Sequence, residues 1–161
     1  MSDANEPSGR LADFVPYLLS ITSNAVSGRI AEEYRSRFGL KVTEWRVMAV
    51  LGDAGPMTQR DLTSATLMDK VAVNRACKVL EERRLVSRAP NAQDGRSHHL
   101  ELTEAGREMH DQVMPLVKEM EMQVFEPFTR QEIDHFCDLL RRIRERVGDV
   151  EVSEDDGDTT P

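Results

Sequence analysis

A mainly α-helical chain with one small β-hairpin is the fold class that this sequence predicts, and three observations predict it. Apolar residues recur every three or four positions over long stretches at both ends of the chain, the spacing of amphipathic helices. Between them lie short helical segments separated by small groups of polar residues and glycine. Behind those, "LVSRA" and "SHHLEL" flank the turn-forming "PNAQDGR", the pattern of two strands around a polar tip. The 161 residues suit one domain with appendages, and 39% hydrophobic beside 31% charged residues allows a core under a well-solvated surface.

The elements follow in order. Residues 11–38 form a first helix on the stripe Phe14, Leu18, Ile21, Ala25, Ile30 and Tyr34. Pro16 sits near its start, where a missing N–H costs least, and Gly39 just past its end. Thr43 is expected to cap a second, largely buried helix containing Trp45, Val47, Met48, Val50 and Leu51, which "GDAGP" breaks at 52–56. Thr58 caps a short third helix with Asp61 in its first turn and Leu62, Ala65 and Leu67 as its apolar side. Asp69 opens a fourth over 69–84, burying Val73, Ala76, Cys77 and Leu80 and turning Lys70, Val71, Asn74, Arg75 and Lys78 outward. Lys70, Asn74 and Lys78 are spaced by four and line up on one side.

Residues 85–89 and 97–102 read as strands, with His98, Leu100 and Leu102 on one face and Asn91, Asp94 and Gly95 supplying the turn. Thr103 caps a long helix to about Val124 that carries Met109, Val113, Leu116, Val117 and Met120, with a kink expected at Pro115. "TRQE" at 129–132 is a capping box for a last helix with the stripe Ile133, Phe136, Cys137, Leu140, Ile143 and Val147. Residues 1–10 read as a flexible N-terminus. Residues 149–161, with six acidic side chains, read as a disordered acidic tail.

Charge narrows the function. The net charge is −8, which by itself argues against nucleic acid. From Thr58 to Leu100, however, eight basic side chains outnumber five acidic ones, giving +3 against −11 for the rest of the chain. Cys77 and Cys137 have no CxxC or metal-ligand spacing, as suits a reducing compartment. His98 and His99 are neighbours in a strand and point to opposite faces, so they do not suit one metal ion. No apolar run reaches membrane-spanning length and no signal-peptide pattern opens the chain, so a cytoplasmic protein is expected. No Gly-rich phosphate loop, HExxH or nucleophile elbow is present, so no enzyme and no cofactor are expected.

Helix, turn, helix and two-stranded hairpin in that order make a winged helix-turn-helix. A helix fits the major groove of DNA, where Lys and Arg can donate to guanine O6/N7 and Asn can pair with adenine N6/N7. Lys70, Val71, Asn74, Arg75 and Lys78 stand on the face that would enter it. Arg96 at the hairpin tip suits the narrow, electronegative minor groove. Ser97 and His98, just behind the tip, either add phosphate contacts or continue the strand. A winged helix used only for protein–protein contact is the main alternative, and a small helical enzyme a remoter one.

"VTEWRVMAVL" together with "MTQRDLTSATLMDKVAVNRACKVLEERRLVSRAPNAQDGRSHHLELTEAGRE" resembles the MarR family of transcription regulators over residues 40–108. The resemblance implies a homodimeric, ligand-responsive repressor bound to an inverted-repeat operator in double-stranded DNA. It implies a winged helix-turn-helix over about 43–102 within a domain of 11–148, and dimerisation helices at about 11–38 and 104–147. It implies that Asp94 pairs with Arg88 to fix the wing. It also implies a small aromatic acid or related anionic effector, with Ser23, Ser27, Trp45, Arg46, Met109 and Val113 as candidate contacts. Arg46 could pair such a carboxylate bidentately or pair a Glu of a neighbouring helix. Two positions depart from the family pattern. Arg84 stands where a Gly often precedes the "LV" strand, and Asn74 stands where Thr or Ser often precedes the recognition-helix Arg.

Overall fold

The computed structural model describes residues 9–149. The flexible N-terminus expected at 1–10 and the acidic tail expected at 149–161 lie almost wholly outside them. After a 3-10 turn at Leu11–Asp13, the elements are α1 (Val15–Phe38), α2 (Val42–Ala54), β1 (Met57–Thr58), α3 (Gln59–Thr66), α4 (Lys70–Glu82), β2 (Val86–Pro90), β3 (His98–Leu102), α5 (Glu104–Phe125) and α6 (Arg130–Asp149). The chain divides into two compact units, residues 1–121 and 122–161.

Local chemistry sets most boundaries of the first unit. Pro16 stands in the first turn of α1, and Gly39 closes that helix in the left-handed region at φ 63°. The Thr58 hydroxyl accepts from the Asp61 N–H at 3.1 Å and starts α3. The Asp69 carboxylate accepts from the Ala72 N–H at 2.8 Å and starts α4. Thr43 is not the cap of α2. The cap is Lys41 and the helix begins at Val42, because the Glu44 carboxylate folds back and accepts from the Lys41 N–H at 2.9 Å. Glu44 is thereby buried at the helix start. "GDAGP" ends α2 within the expected 52–56, with Gly55 as the residue that closes the helix. The helix continues to Ala54, and Gly52 serves as a bare seat for the His110 ring, whose Nε2 lies 2.4 Å from where a Cβ would stand.

The sheet has three strands, not the two expected. β3 is central and pairs antiparallel with β2 (Val86↔Leu102, Arg88↔Leu100) and with the missed β1 (Met57↔Leu100, Thr58↔His99). Leu100 is fully buried beneath it. The core is contributed by α1, α2, α3, α4, the sheet and α5, with Tyr34, Leu40, Trp45, Met48, Leu51, Leu62, Leu80 and Val113 among its largest members. The predicted inward stripe of α4, Val73, Ala76, Cys77 and Leu80, is buried in full. Leu67 is not part of α3's apolar side. It ends the helix at φ 52° with its side chain 75% exposed.

Three consecutive residues form the corner that joins α4, the hairpin and α5. Arg83 donates to the carbonyls of Gly39 and Phe38 at 3.2 and 2.8 Å, closing the end of α1. Arg84 adopts φ 59° at the position after the α4 cap, where the Leu85 N–H reaches back to the Leu80 carbonyl and the Arg84 N–H to that of Glu81. The helix therefore ends in a Schellman turn without glycine. Leu85 then meets α5: its carbonyl accepts from the Thr103 N–H at 3.0 Å and lies 1.9 Å from the position of a Cβ on Gly106. The Thr103 hydroxyl donates to the Arg84 carbonyl at 2.7 Å and accepts from the Gly106 N–H at 3.0 Å, so one side chain caps α5 and holds the corner.

Pro115 lies inside α5, which runs from Glu104 to Phe125. In the second unit the expected capping box starts α6: the Glu132 carboxylate accepts from the Thr129 N–H at 2.8 Å, and the Thr129 hydroxyl from the Glu132 N–H at 3.2 Å. The Thr129 N–H and the Thr129 hydroxyl, which donates to the same carboxylate at 3.1 Å, lower the Glu132 pKa. Phe136, Leu140, Ile143 and Val147 of the predicted stripe are exposed, while Ile133 and Cys137 are half-buried.

The corner gives two expectations of opposite sign. Gly106→Ala has no room for its methyl and is expected to lower stability by about 2–3 kcal/mol. Arg84→Gly relieves the left-handed strain and is expected to raise it by about 0.5–1 kcal/mol. Urea unfolding followed by circular dichroism reads both.

Candidate nucleic-acid interface

The outer face of α4 is an exposed, mixed basic and polar surface. Lys70, Val71, Asn74, Arg75 and Lys78 are all exposed, opposite the buried stripe. Val71 is 64% exposed, an apolar side chain held out to solvent among cations. Burial of the stripe orients this face, because α4 cannot rotate without lifting Val73 and Leu80 out of the core. Cys77 belongs to that stripe, and burial pushes its thiol up to about 11.

Asn74 is not a free side chain. Its Oδ1 accepts from the Gln59 amide nitrogen at the start of α3. Gln59 Oε1 in turn accepts from Arg88 Nη2 at 3.3 Å. Arg88 also donates from Nε and Nη2 to the two oxygens of Glu81 at 3.0 and 3.1 Å. The relay Glu81–Arg88–Gln59–Asn74 thus ties α4 to β2, to α3 and back to α4. This arrangement corrects the expected pairing of Arg88 with Asp94. Glu81 lies at the end of α4, and β2 runs back beside that helix, so the guanidinium meets Glu81 a strand's length before the wing tip.

The wing holds its shape by its own short-range bonds. Asp94 Oδ1 accepts from the Arg96 N–H at 3.1 Å, and Asn91 Oδ1 from the Gln93 N–H at 3.0 Å. The Asn91 N–H donates to the Ser97 carbonyl at 2.9 Å and the Ser97 N–H to that of Asp94 at 3.2 Å. The Ser97 hydroxyl accepts from Asn91 Nδ2 at 3.2 Å, which engages it inside the wing. Gly95 does not use left-handed backbone, so the turn is made by Asn91 and Asp94. Arg96 and His98 are exposed.

Of the six effector candidates, the structure brings two together: Arg46 Nη2 donates to the Ser27 hydroxyl at 3.2 Å. Ser23 is exposed one helical turn before Ser27 on α1. Trp45 is buried between Tyr34 and His110, with ring centroids 5.9 and 5.6 Å away. Val113 is fully buried core and Met109 half-buried against it. Burial raises the Tyr34 pKa, with Arg46 and Arg35 acting in the opposite sense. Sequence reasoning missed Gln59 and His110. The amide of Gln59 looks like an ordinary first-turn residue. The packing of His110 was signalled only by the glycine opposite it.

Among the described residues, no helix is long and apolar enough to cross a membrane, and no cluster of three metal-binding side chains occurs. Residues 38–97 match the model of the MarR family. A MarR/EmrR family transcriptional regulator from Acinetobacter sp. ADP1 superposes with TM-score 0.81 at 27% identity, covering 88% of this chain and 99% of that one. The transcriptional repressor NicR of Pseudomonas putida is 25% identical over 74% of this chain and 80% of its own. CouR from Rhodococcus jostii RHA1, solved bound to p-coumaroyl-CoA, has TM-score 0.73 at 25% identity and covers 84% of this chain and 95% of its own.

The Cys77 environment is expected to make that thiol inert in the native fold. In a Cys137→Ser variant, a thiol reagent at pH 8 should react only after denaturation. Because the folded pKa is raised to about 11 from 9.0, the stability that the protonated thiol carries is complete below pH 9 and is lost as pH rises through 11. Rapid native labelling at pH 8 would contradict the burial.

Proposed function

We propose that the chain, which matches the model of the MarR family over residues 38–97, acts as a DNA-binding, ligand-responsive transcriptional repressor, a homodimer on an inverted-repeat operator. The observation that carries the DNA-facing assignment is charge placement. A chain of net charge −8 keeps its positive excess in the segment holding α4 and the wing. In the proposal Lys70, Val71, Asn74, Arg75 and Lys78 meet the major groove, and Arg96 the adjacent minor groove. His98 meets the backbone, while Ser97 and Asp94 shape the wing. Arg88 acts indirectly, through Gln59. The acidic remainder weakens binding to DNA at large, which leaves discrimination to these contacts.

Exposed apolar side chains support the homodimer. Phe14, Val15, Leu18 and Ile21 of the α1 region and Phe136, Leu140, Ile143 and Val147 of α6 are large and uncovered in the single chain. Faces of this kind suit helix-to-helix packing with a second copy, and a two-fold axis would set two α4 helices about one helical turn of DNA apart. CouR, at 25% identity, was solved with p-coumaroyl-CoA, an anionic aromatic thioester, and Arg46 with Ser27 offers a cation and a hydroxyl for an anionic effector. An effector that binds the DNA-incompetent arrangement better by about 1–3 kcal/mol would relieve repression about 5- to 150-fold.

Two variants test the assignment on an operator selected from random duplexes by the full-length protein. Arg96→Ala is expected to weaken binding and to reduce the slope of log K against log salt by about one. An unchanged slope and affinity would refute the wing contact. Asn74→Ala is expected to flatten base preference at one position of each half-site, worth about 1–3 kcal/mol, with little change in non-specific binding. A uniform loss on all sequences would mean that Asn74 contacts no base.

A further inference from the structure

The relay behind Asn74 fixes more than its position. Arginine has donors only, so the atom of Gln59 that faces Arg88 must be its oxygen. The Gln59 amide nitrogen is then the atom that faces Asn74, and Asn74 must meet it with Oδ1. With its oxygen engaged by Gln59, the end of the Asn74 amide that Gln59 does not engage is its NH2 group. The donor inventory of each side chain sets these orientations, beginning at a carboxylate: Glu81 grips Arg88 with both oxygens and orients its guanidinium.

We infer that Gln59 is a positioning residue that makes Asn74 read its base pair as a hydrogen-bond donor, directed at a major-groove acceptor such as purine N7, guanine O6 or thymine O4. The inference rests on the placement of α4 in the major groove proposed above. It departs from what an asparagine in a recognition helix otherwise suggests. Bidentate pairing with adenine needs the amide oxygen turned toward N6–H and the nitrogen toward N7. Here the oxygen is turned inward and engaged by Gln59. Gln59 touches DNA only through Asn74, and Glu81 and Arg88 act one step further back. The arrangement also separates two tasks within α4. Lys70, Arg75 and Lys78 are exposed cations, whereas Asn74 is a neutral group with one end already committed.

The test uses the full-length protein and the selected operator, rebuilt with base analogues that each delete one major-groove acceptor (7-deazapurines for N7) or one amino donor (nebularine for adenine N6). Wild type, Gln59→Ala, Gln59→Glu, Asn74→Ala and the double variant Gln59→Ala/Asn74→Ala are titrated on each duplex, with thermal unfolding to verify that all fold. The base pair whose preference Asn74→Ala abolishes is the one that Asn74 reads. At that pair wild type should lose about five- to tenfold affinity on acceptor deletion and almost none on amino deletion. Gln59→Glu cannot donate to Asn74, so the Asn74 amide should turn over and the sensitivities should exchange. Gln59→Ala should blunt the acceptor effect in wild type and add nothing in the Asn74→Ala background. Amino-deletion sensitivity in wild type, or Gln59 variants with the wild-type pattern, would overturn the inference. An equal Gln59→Ala effect with and without Asn74 would also overturn it, as the sign of a purely structural role. If Asn74→Ala leaves the preference unchanged at every pair, the base-reading role itself fails and the inference falls with it.

Discussion

The contact between the Leu85 carbonyl and Gly106 is the constraint on which the remaining geometry depends. A backbone oxygen lies where any side chain on Gly106 would begin, so α5 can reach the α4–β2 corner only through glycine. Thr103 then uses its hydroxyl twice, once to cap α5 and once to hold the Arg84 carbonyl. Arg83 ties the same corner to the end of α1. Four elements therefore meet at three consecutive residues, and the direction of α4 and the launch of the wing are set together. Rigid placement of this kind is what a reading head needs, since a shift of about 1 Å at a base edge breaks a hydrogen bond.

The second layer of order is electrostatic and sits on the other side of α4. The relay from Glu81 to Asn74 spans two helices and a strand with side chains only partly screened from water. In such positions its worth in folding free energy is small. Its consequence is orientation, because it decides which end of one amide is offered outward. The wing is built on a different plan. Its Asn91 and Asp94 turns are local, so Arg96 is carried on a loop whose shape depends on little outside residues 91–97. A positioned α4 beside a self-shaped wing matches the division between base reading and phosphate or minor-groove contact.

Much of this was legible in the sequence, and the reasons are local. Asp69, Thr58 and Gly39 announce helix ends through bonds made within four residues, and the inward stripe of α4 follows from a period of 3.6. What escaped depends on distance. β1 is two residues long and exists only because β3 lies beside it. Thr43 lost its place as a cap because Glu44 competes for the helix start from a buried position. The partner of Arg88 was misjudged because sequence separation gives no hint that Glu81 stands closer than Asp94. Leu67 looked like core by spacing, yet it falls on the turn that leaves α3, where the backbone turns its side chain to solvent. Gln59 carried no signal of its own, since its role exists only between two partners 15 and 29 residues away.

The central claim is that a symmetric pair of α4 helices reads two major grooves while the wings flank them. Methylation protection of guanine N7 and adenine N3 on a selected operator measures it directly, since the two atoms report the major and minor grooves respectively. Two patches of N7 protection separated by about one helical turn, roughly 10–10.5 base pairs, are expected, each with N3 protection beside it. A single N7 patch, or protection confined to the minor groove, would contradict it.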